Sequence, residues 1–269
     1  MSYGTYAFIY DDVVNDRRYE RVLAELDAKL TSLDIQGRVG RLTLFQNAKD
    51  LIESMVNQGV TTIVVVGNDH SLDKIMWFLP DMDVTLGYIP ITEPSSIGGL
   101  LGIPSGLGAC DVLAARLIET VDVGKIDDRY FLTEVALPST NATVDIEGRY
   151  RISAINGGSV TIRNLGGMRE LSDAKDGLLE VIITPNGEPT GSRRQRTLPS
   201  EDSRILIRRG EIISTVPVDV RVDNHAVNGF RFKLGIAPKK LKLITGRERR
   251  LAPLPGLSKQ PALVTLPTA

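Results

Sequence analysis

Cysteine is nearly absent from this sequence. Cys110 stands alone, which excludes an intramolecular disulfide framework and points to a reducing compartment. Neither sign of charge is in excess, with 32 Lys and Arg against 33 Asp and Glu, so there is no basic field of the kind that nucleic acid demands. No stretch approaches about 18 uninterrupted apolar residues, so no transmembrane helix is expected. The opening MSYGTYAFIYDD lacks a cationic segment followed by a long apolar run, so no secretory signal is expected. These absences together predict a cytoplasmic protein. Internal repeats are also missing. What the chain does have is length and apolar content: 269 residues, 42% hydrophobic, enough to bury a large core and better suited to two domains than one.

The periodicity of the apolar residues changes once, near residue 120. Before it, strands alternate with helices. Tyr6–Tyr10 reads as a strand, followed by a helix on Val22, Leu23, Leu26, Leu30 and Leu33, then a strand near Val39–Leu44. A second helix uses Ala48, Leu51, Ile52, Met55 and Val56, with Gly59 as its stop. A strand at 61–66, a helix after it, a strand at Val84–Ile89 and helical spacing at Cys110, Leu113, Ala114, Leu117 and Ile118 complete the series. Repeated β-α units predict a parallel sheet with helices on both faces, and its ligands sit beyond the strand C-terminal ends, where Gly67–Ser71 and Pro90–Ser96 would pair into one site. After residue 120 short alternating runs take over, at 130–137, 143–146, 149–155, 159–163, 178–183, 204–208, 216–222, 230–236 and 240–244. They predict an antiparallel sandwich or barrel. The predicted class is therefore α/β: a three-layer, parallel-sheet, nucleotide-binding-like domain at 1–121, a β-sandwich domain at 122–250, and a tail at 251–269 in which LVTL (263–266) reads as a strand. The polar insertion at 185–202 reads as a surface loop.

Residues 61–76, TTIVVVGNDHSLDKIM, are the most informative stretch. Six β-branched residues from Thr61 to Val66 form a buried strand, and Leu72, Ile75, Met76 and Leu79 share one helical face. Between them lie Gly67, Asn68, Asp69, His70 and Ser71. Unpaired N–H groups at such a helix start attract anions, and Asp69 is placed to hold a divalent cation against phosphate. An ordinary strand-to-helix turn with Ser71 as N-cap and Asp73 favouring the dipole explains the same residues, and both readings stand on these residues alone.

The stretch resembles the GGDGT-L-N-E motif of the diacylglycerol kinase and sphingosine kinase superfamily, with Gly67, Asp69 and Leu72 matching and Ser71 and Asp73 chemically close. Other matches follow in the order of that family. Thr43 and Ala48 resemble its T-x-x-x-x-A segment, residues 86–104 its L-G-I-I-P to L-G-I-P segment, and VDVGKIDDRYFL (121–132) its domain junction. SDAKDGLLEVII (172–183) resembles its D-D-G-L-L-D-V strand entry, and VRVDNH (220–225) stands where it has V-x-V-D-G-E. The resemblance implies ATP bound with Mg²⁺ between two domains and a phosphoryl group passed to a diacylglycerol-like lipid alcohol. It implies nucleotide contacts from Gly67, Asn68, Asp69, His70, Ser71, Thr43, Thr92 and Ser95, and metal contact from Asp69. It further implies a base at Asp223 with His225 in place of the acidic partner, and a structural Mg²⁺ on Asp173, Asp176 and the carbonyl of Leu178. A terminal segment of such proteins returns to the first domain, a part the tail at 251–269 would play.

Departures from the pattern are equally specific. Asn68 and His70 replace glycines, and ITEPSS (91–96) brings Glu93 and Pro94 into a phosphate-facing loop. DDVVND (11–16) replaces the N-P-x-S-G loop of the family. Two alternatives to an active lipid kinase follow: a non-catalytic relative that binds lipid, nucleotide or a protein partner, and, more distantly, an NAD-kinase-like enzyme. Basic clusters at Arg193–Arg196, Lys239–Lys240 and Arg247–Arg250 fit either peripheral contact with anionic membrane or a solvated face. A homodimer is compatible with the sequence.

Overall fold

A computed structural model of the protein describes residues 5–42, 47–137, 142–153, 158–166, 171–184 and 202–253. The first half alternates strand and helix: β1 (Thr5–Tyr10), α1 (Glu20–Ser32), β2 (Gly37–Arg41), α2 (Ala48–Asn57), β3 (Val60–Gly67), α3 (Asp69–Met76), β4 (Thr85–Pro90), α4 (Ser96–Leu101) and α5 (Gly108–Ala115). β4, β3, β1 and β2 lie side by side and parallel. Every residue of β4 and all but Thr61 of β3 are buried, so both faces of the sheet are covered, as an all-parallel sheet requires. α1 packs against α5 and α2 against α3. The glycine after α2 does its expected work: Gly59 takes φ +92°, the left-handed conformation that ends a helix without a Cβ penalty.

The second half is antiparallel: β5 (Leu117–Ile126), β6 (Arg129–Phe131), β7 (Glu134–Leu137), β8 (Thr143–Ile146), β9 (Tyr150–Ser153), β10 (Ser159–Arg163), β11 (Leu179–Thr184), β12 (Ser203–Ile207), β13 (Arg209–Val222) and β14 (His225–Thr245). β7, β8 and β10 alternate buried and half-buried residues, the mark of strands with one face on a core. That core is a second apolar cluster containing Val135, Val144, Ile162, Val181, Val220 and Phe232, separate from the cluster around β1, β3 and β4.

Three sequence expectations need correction. Leu117 and Ile118 continue the helical spacing of α5, yet the helix ends at Ala115 because Arg116 turns left-handed at φ 49° and donates to Tyr6 Oη (2.8 Å) and Thr62 Oγ1 (3.1 Å). Leu117 and Ile118 open β5 instead. The run at 130–137 is two strands, β6 and β7. The separate runs at 230–236 and 240–244 are one strand: β14 continues through Pro238 with a pairing irregularity between Ala237 and Leu241, where proline supplies no N–H. The far end of β14 pairs in parallel with β4, Lys242 opposite Thr85 and Leu243 opposite Leu86. β14 thus links the antiparallel and parallel sheets in one hydrogen-bonded network, and residues 241–245, which the periodicity assigns to the second domain, are its bridge into the first. The strand expected at 263–266 and most of the 185–202 loop lie outside the described residues. Among the described residues no helix is long and apolar enough to cross a membrane.

Candidate functional site

The turn from β3 into α3 is built around a side-chain exchange. Asn68, not Ser71, is the N-cap: its Oδ1 accepts from Ser71 N (2.9 Å) while Ser71 Oγ accepts from Asn68 N (3.1 Å), a reciprocal capping box. Asn68 sits at φ −117°, in extended backbone, so replacing a glycine here carries no left-handed cost. Gly67 is required for a different reason: a Cβ added there would lie 2.7 Å from Cβ of Ser71. Ser71 Oγ also donates to Asp11 Oδ2 (2.7 Å), and Lys74 Nζ donates to both oxygens of Asp11 at 2.9 and 3.0 Å. The 11–16 loop, which departs from the family pattern, is thereby fixed to the start of α3.

Asp69 reaches the other way. Its Oδ1 accepts from Tyr88 Oη (2.9 Å) and Ser95 Oγ (2.5 Å), and its Oδ2 accepts from Ser96 N (2.8 Å) and Ile97 N (3.2 Å). It caps α4, alongside Ser95, whose Oγ accepts from Gly98 N (2.8 Å). Burial, followed by the Asp69 charge, holds the Tyr88 phenol well above its usual range, so it stays a donor. The loops at 67–71 and 90–96 therefore do converge beyond the ends of β3 and β4, but Asp69 spends its carboxylate binding them together. Thr92 contributes its carbonyl to Ser105 Oγ (3.3 Å), and Glu93 is exposed. Thr43 lies outside the described residues.

On the side of α3 that meets the second domain, His70 and Asp73 share a face at i and i+3. The turn between β13 and β14 brings Asp223, Asn224 and His225 against them. The chain has two histidines, and their rings lie together, centroids 4.5 Å apart. Trp77 packs edge-on to His225 at 4.7 Å and carries the Arg129 guanidinium 4.2 Å over its own ring. Ligating atoms of His70, Asp73 and His225 all fall within 4.8 Å of one another. Asp73 is 0% exposed; Oδ2 accepts from Asn224 Nδ2 (2.5 Å), while Oδ1 has no partner, nor has the buried Nε2 of His225. Burial and the neighbouring Asp223 push the Asp73 carboxyl up to about 7. Burial, then the electrostatic influence of His70, Lys74 and Arg129, pushes His225 down, favouring the neutral imidazole.

Asp223 is more deeply committed than its sequence context suggests. At φ 49°, it accepts from Leu132 N, Thr133 N and Glu134 N, each at 2.9 Å, and from Thr133 Oγ1. It pins the β13–β14 turn to the β6–β7 connection. Burial raises its carboxyl, opposed by these hydrogen bonds. Asp173 and Asp176 occupy consecutive Asx turns, accepting from Lys175 N (2.9 Å) and Leu178 N (2.8 Å). Burial and the charges of Asp173 and Asp122 raise Asp176. The fixed point of this segment is Asp122, 1% exposed, which accepts from Gly177 N (2.7 Å) and Lys239 N (2.6 Å). Of the basic clusters, Lys240 pairs with Asp81 (3.4 Å) and Arg249 with Glu119; residues 193–196 lie outside the described residues. A cavity of about 260 Å³ beside Arg129 is lined by Ile126, Asp127, Val227, Arg231 and Phe232.

Sequence reasoning misses Asp11, Tyr88, Asp122 and Asn224 as site-building residues. Each lies inside a stretch the sequence singles out, Asp11 in 11–16, Tyr88 in 86–104, Asp122 in 121–132 and Asn224 in 220–225, but none is read there as a site-building residue.

No protein-family profile matches the chain, and no curated protein sequence does. Its backbone is similar to solved structures of diacylglycerol kinases from Bacillus anthracis str. Sterne, two of them so named provisionally. One superposes with TM-score 0.73 at 13% identity over 92% of this chain and 98% of its own. A second gives 0.74, 13%, 92% and 99%, and a third 0.72, 13%, 91% and 98%. At such identity the likeness establishes the two-domain fold of that group and nothing finer.

Proposed function

We propose that the protein is a divergent lipid kinase that moves the terminal phosphoryl group of ATP, bound with Mg²⁺, to the hydroxyl of a diacylglycerol-like alcohol at the domain junction. One observation carries this reading. Three loops and the β13–β14 turn converge beyond the C-terminal ends of the parallel strands, where ligands of such sheets sit, and the convergence leaves Asp73 Oδ1 and His225 Nε2 unpartnered. Phosphoryl transfer depends on positioning and on neutralising charge; the uncommitted polar atoms of this junction support the first, and bound Mg²⁺ would supply the second. The fold likeness to diacylglycerol kinases, over nearly the whole chain, supports the same class. A lipid substrate requires access at a membrane surface, so peripheral contact with anionic lipid belongs to this proposal.

A second reading, a non-catalytic relative, is favoured by the full engagement of Asp69 and Asp223. Thermal unfolding of the wild-type chain with and without millimolar Mg²⁺-ATP tests the nucleotide binding that the kinase reading requires. Binding at 100 times the dissociation constant adds about 2.7 kcal/mol. An unmoved Tm overturns the kinase and supports the relative that binds lipid or protein; after a rise in Tm, phosphate transfer to lipid separates the kinase from a relative that only binds nucleotide.

A further inference from the structure

We propose that His70, Asp73 and His225 form a site for a divalent transition-metal ion of the Zn²⁺ class, clamping the two domains. The inference does not depend on the transfer reading.

The ligand set is assembled from both domains. α3 presents His70 and Asp73 on one face, and the hairpin turn delivers His225 from the other domain, its position fixed by Asp223. An ion with bonds of about 2.0–2.2 Å holds its ligand atoms roughly 3.4 Å apart, a spacing that three atoms within 4.8 Å reach by small rotations of the side chains. A second observation points to a ligand. The side chain of Asp73 is wholly buried with Oδ1 unpartnered, and Nε2 of His225 is buried and unpartnered as well. Buried polar atoms without partners are costly, and these two lie at the same trio. The geometry around them also resembles the outer support usual for metal ligands: Asn224 holds the second oxygen of Asp73, and Trp77 packs on the His225 ring.

Ligand chemistry decides the ion. Two imidazoles and one carboxylate suit Zn²⁺, Co²⁺ or Ni²⁺, whereas Mg²⁺ prefers oxygen ligands and water. Lys74 and Arg129 oppose a cation, but Lys74 is paired with Asp11, and Asp69 and Asp223 add negative charge beside Asp73. Three protein ligands leave a fourth position open, the arrangement of sites that bind water or an anionic ligand. Glycine at position 70 and an acidic residue at 225, as in the motifs this chain resembles, would supply neither imidazole, so the two departures from that pattern act together.

The test is calorimetric titration of Zn²⁺ into the full-length, untagged chain after chelator treatment, with Mg²⁺ as competitor. The expected result is one Zn²⁺ per chain, a raised Tm, no displacement by millimolar Mg²⁺, and a loss of affinity of at least about tenfold in both His70→Ala and His225→Ala. His70 is exposed, so its variant remains folded even if His225→Ala does not. Asp173→Asn should bind Zn²⁺ like the wild type. Absence of saturable binding, unchanged affinity in His70→Ala, or ready displacement by Mg²⁺ would overturn the site. The readout is binding, so absence of phosphoryl transfer bears only on the kinase reading.

Discussion

Replacing Asp69 by alanine should destabilise the protein before any ligand is added. The residue stands where the resemblance places a nucleotide and metal contact, yet its two oxygens accept four hydrogen bonds from Tyr88, Ser95, Ser96 and Ile97. A hydrogen bond to a charged acceptor contributes roughly 1.5–3 kcal/mol, and a buried donor left without a partner costs about 1–3 kcal/mol. Tyr88 is 1% exposed, so its hydroxyl would be stranded; the amides of Ser96 and Ile97 lose their cap but gain water. Shared geometry makes the contributions less than additive, which brings the expected loss to about 3–5 kcal/mol. Urea unfolding without nucleotide measures it. Tyr88→Phe alone should cost about 1 kcal/mol, and the double variant should cost less than the sum of the single ones by about 1–2 kcal/mol. If Asp69→Ala loses under about 1 kcal/mol, or the two substitutions simply add, Asp69 is not the brace between the loops and its carboxylate is free for a ligand.

Asp223→Asn should likewise lose about 2–4 kcal/mol without substrate, because its oxygens satisfy three backbone amides and one hydroxyl; unchanged urea stability would return it to a purely chemical role. Hydrogen bonds from Lys74 and Ser71 outweigh burial and hold Asp11 below the usual carboxylate range. Its stabilising effect is therefore present above the unfolded value of about 3.9 and fades as pH falls through the lower folded value. The stability gap between wild type and Asp11→Asn should be flat from about pH 5 to 8 and close below about pH 4, and a gap that persists in acid contradicts the pairing. Burial pushes the Cys110 thiol up to about 11, so an aromatic disulfide at pH 8 should label it only at the rate of unfolding; immediate labelling of native protein refutes its burial. Gly124→Ala would drive a Cβ into the ring of fully buried Phe131 and should cost about 1–3 kcal/mol in the same urea assay; a neutral result means the ring has room to move.

Much of the architecture was legible because it is written in local periodicity. Six β-branched residues before Gly67 cannot form an amphipathic helix, and the spacing of Ala48 to Val56 cannot form a strand. Errors arose where one residue's conformation overrode its neighbours' pattern, as when left-handed Arg116 ends α5 while the apolar spacing runs on. The length of β14 was hidden by Pro238, which reads as an end but is absorbed as an irregularity. At the site, the convergence of two loops followed from the rule for parallel sheets, whereas their chemistry did not. Nothing local in the sequence says that Asp69 caps a helix starting at Ser96, or that Asn224 meets Asp73 across 151 positions. The paired histidines are a product of that same long-range closure: His70 lies in the first turn of α3 and His225 opens β14, and no local pattern says that they meet.

Transfer of labelled phosphate from ATP to diacylglycerol in mixed anionic vesicles, with the full chain and either Mg²⁺ or Mn²⁺ present, tests the proposed activity most directly. The account predicts a labelled lipid that depends on folded protein and on the divalent ion. Protein that remains folded and yields no labelled lipid with either ion would contradict it and leave the chain as a non-catalytic member of this fold.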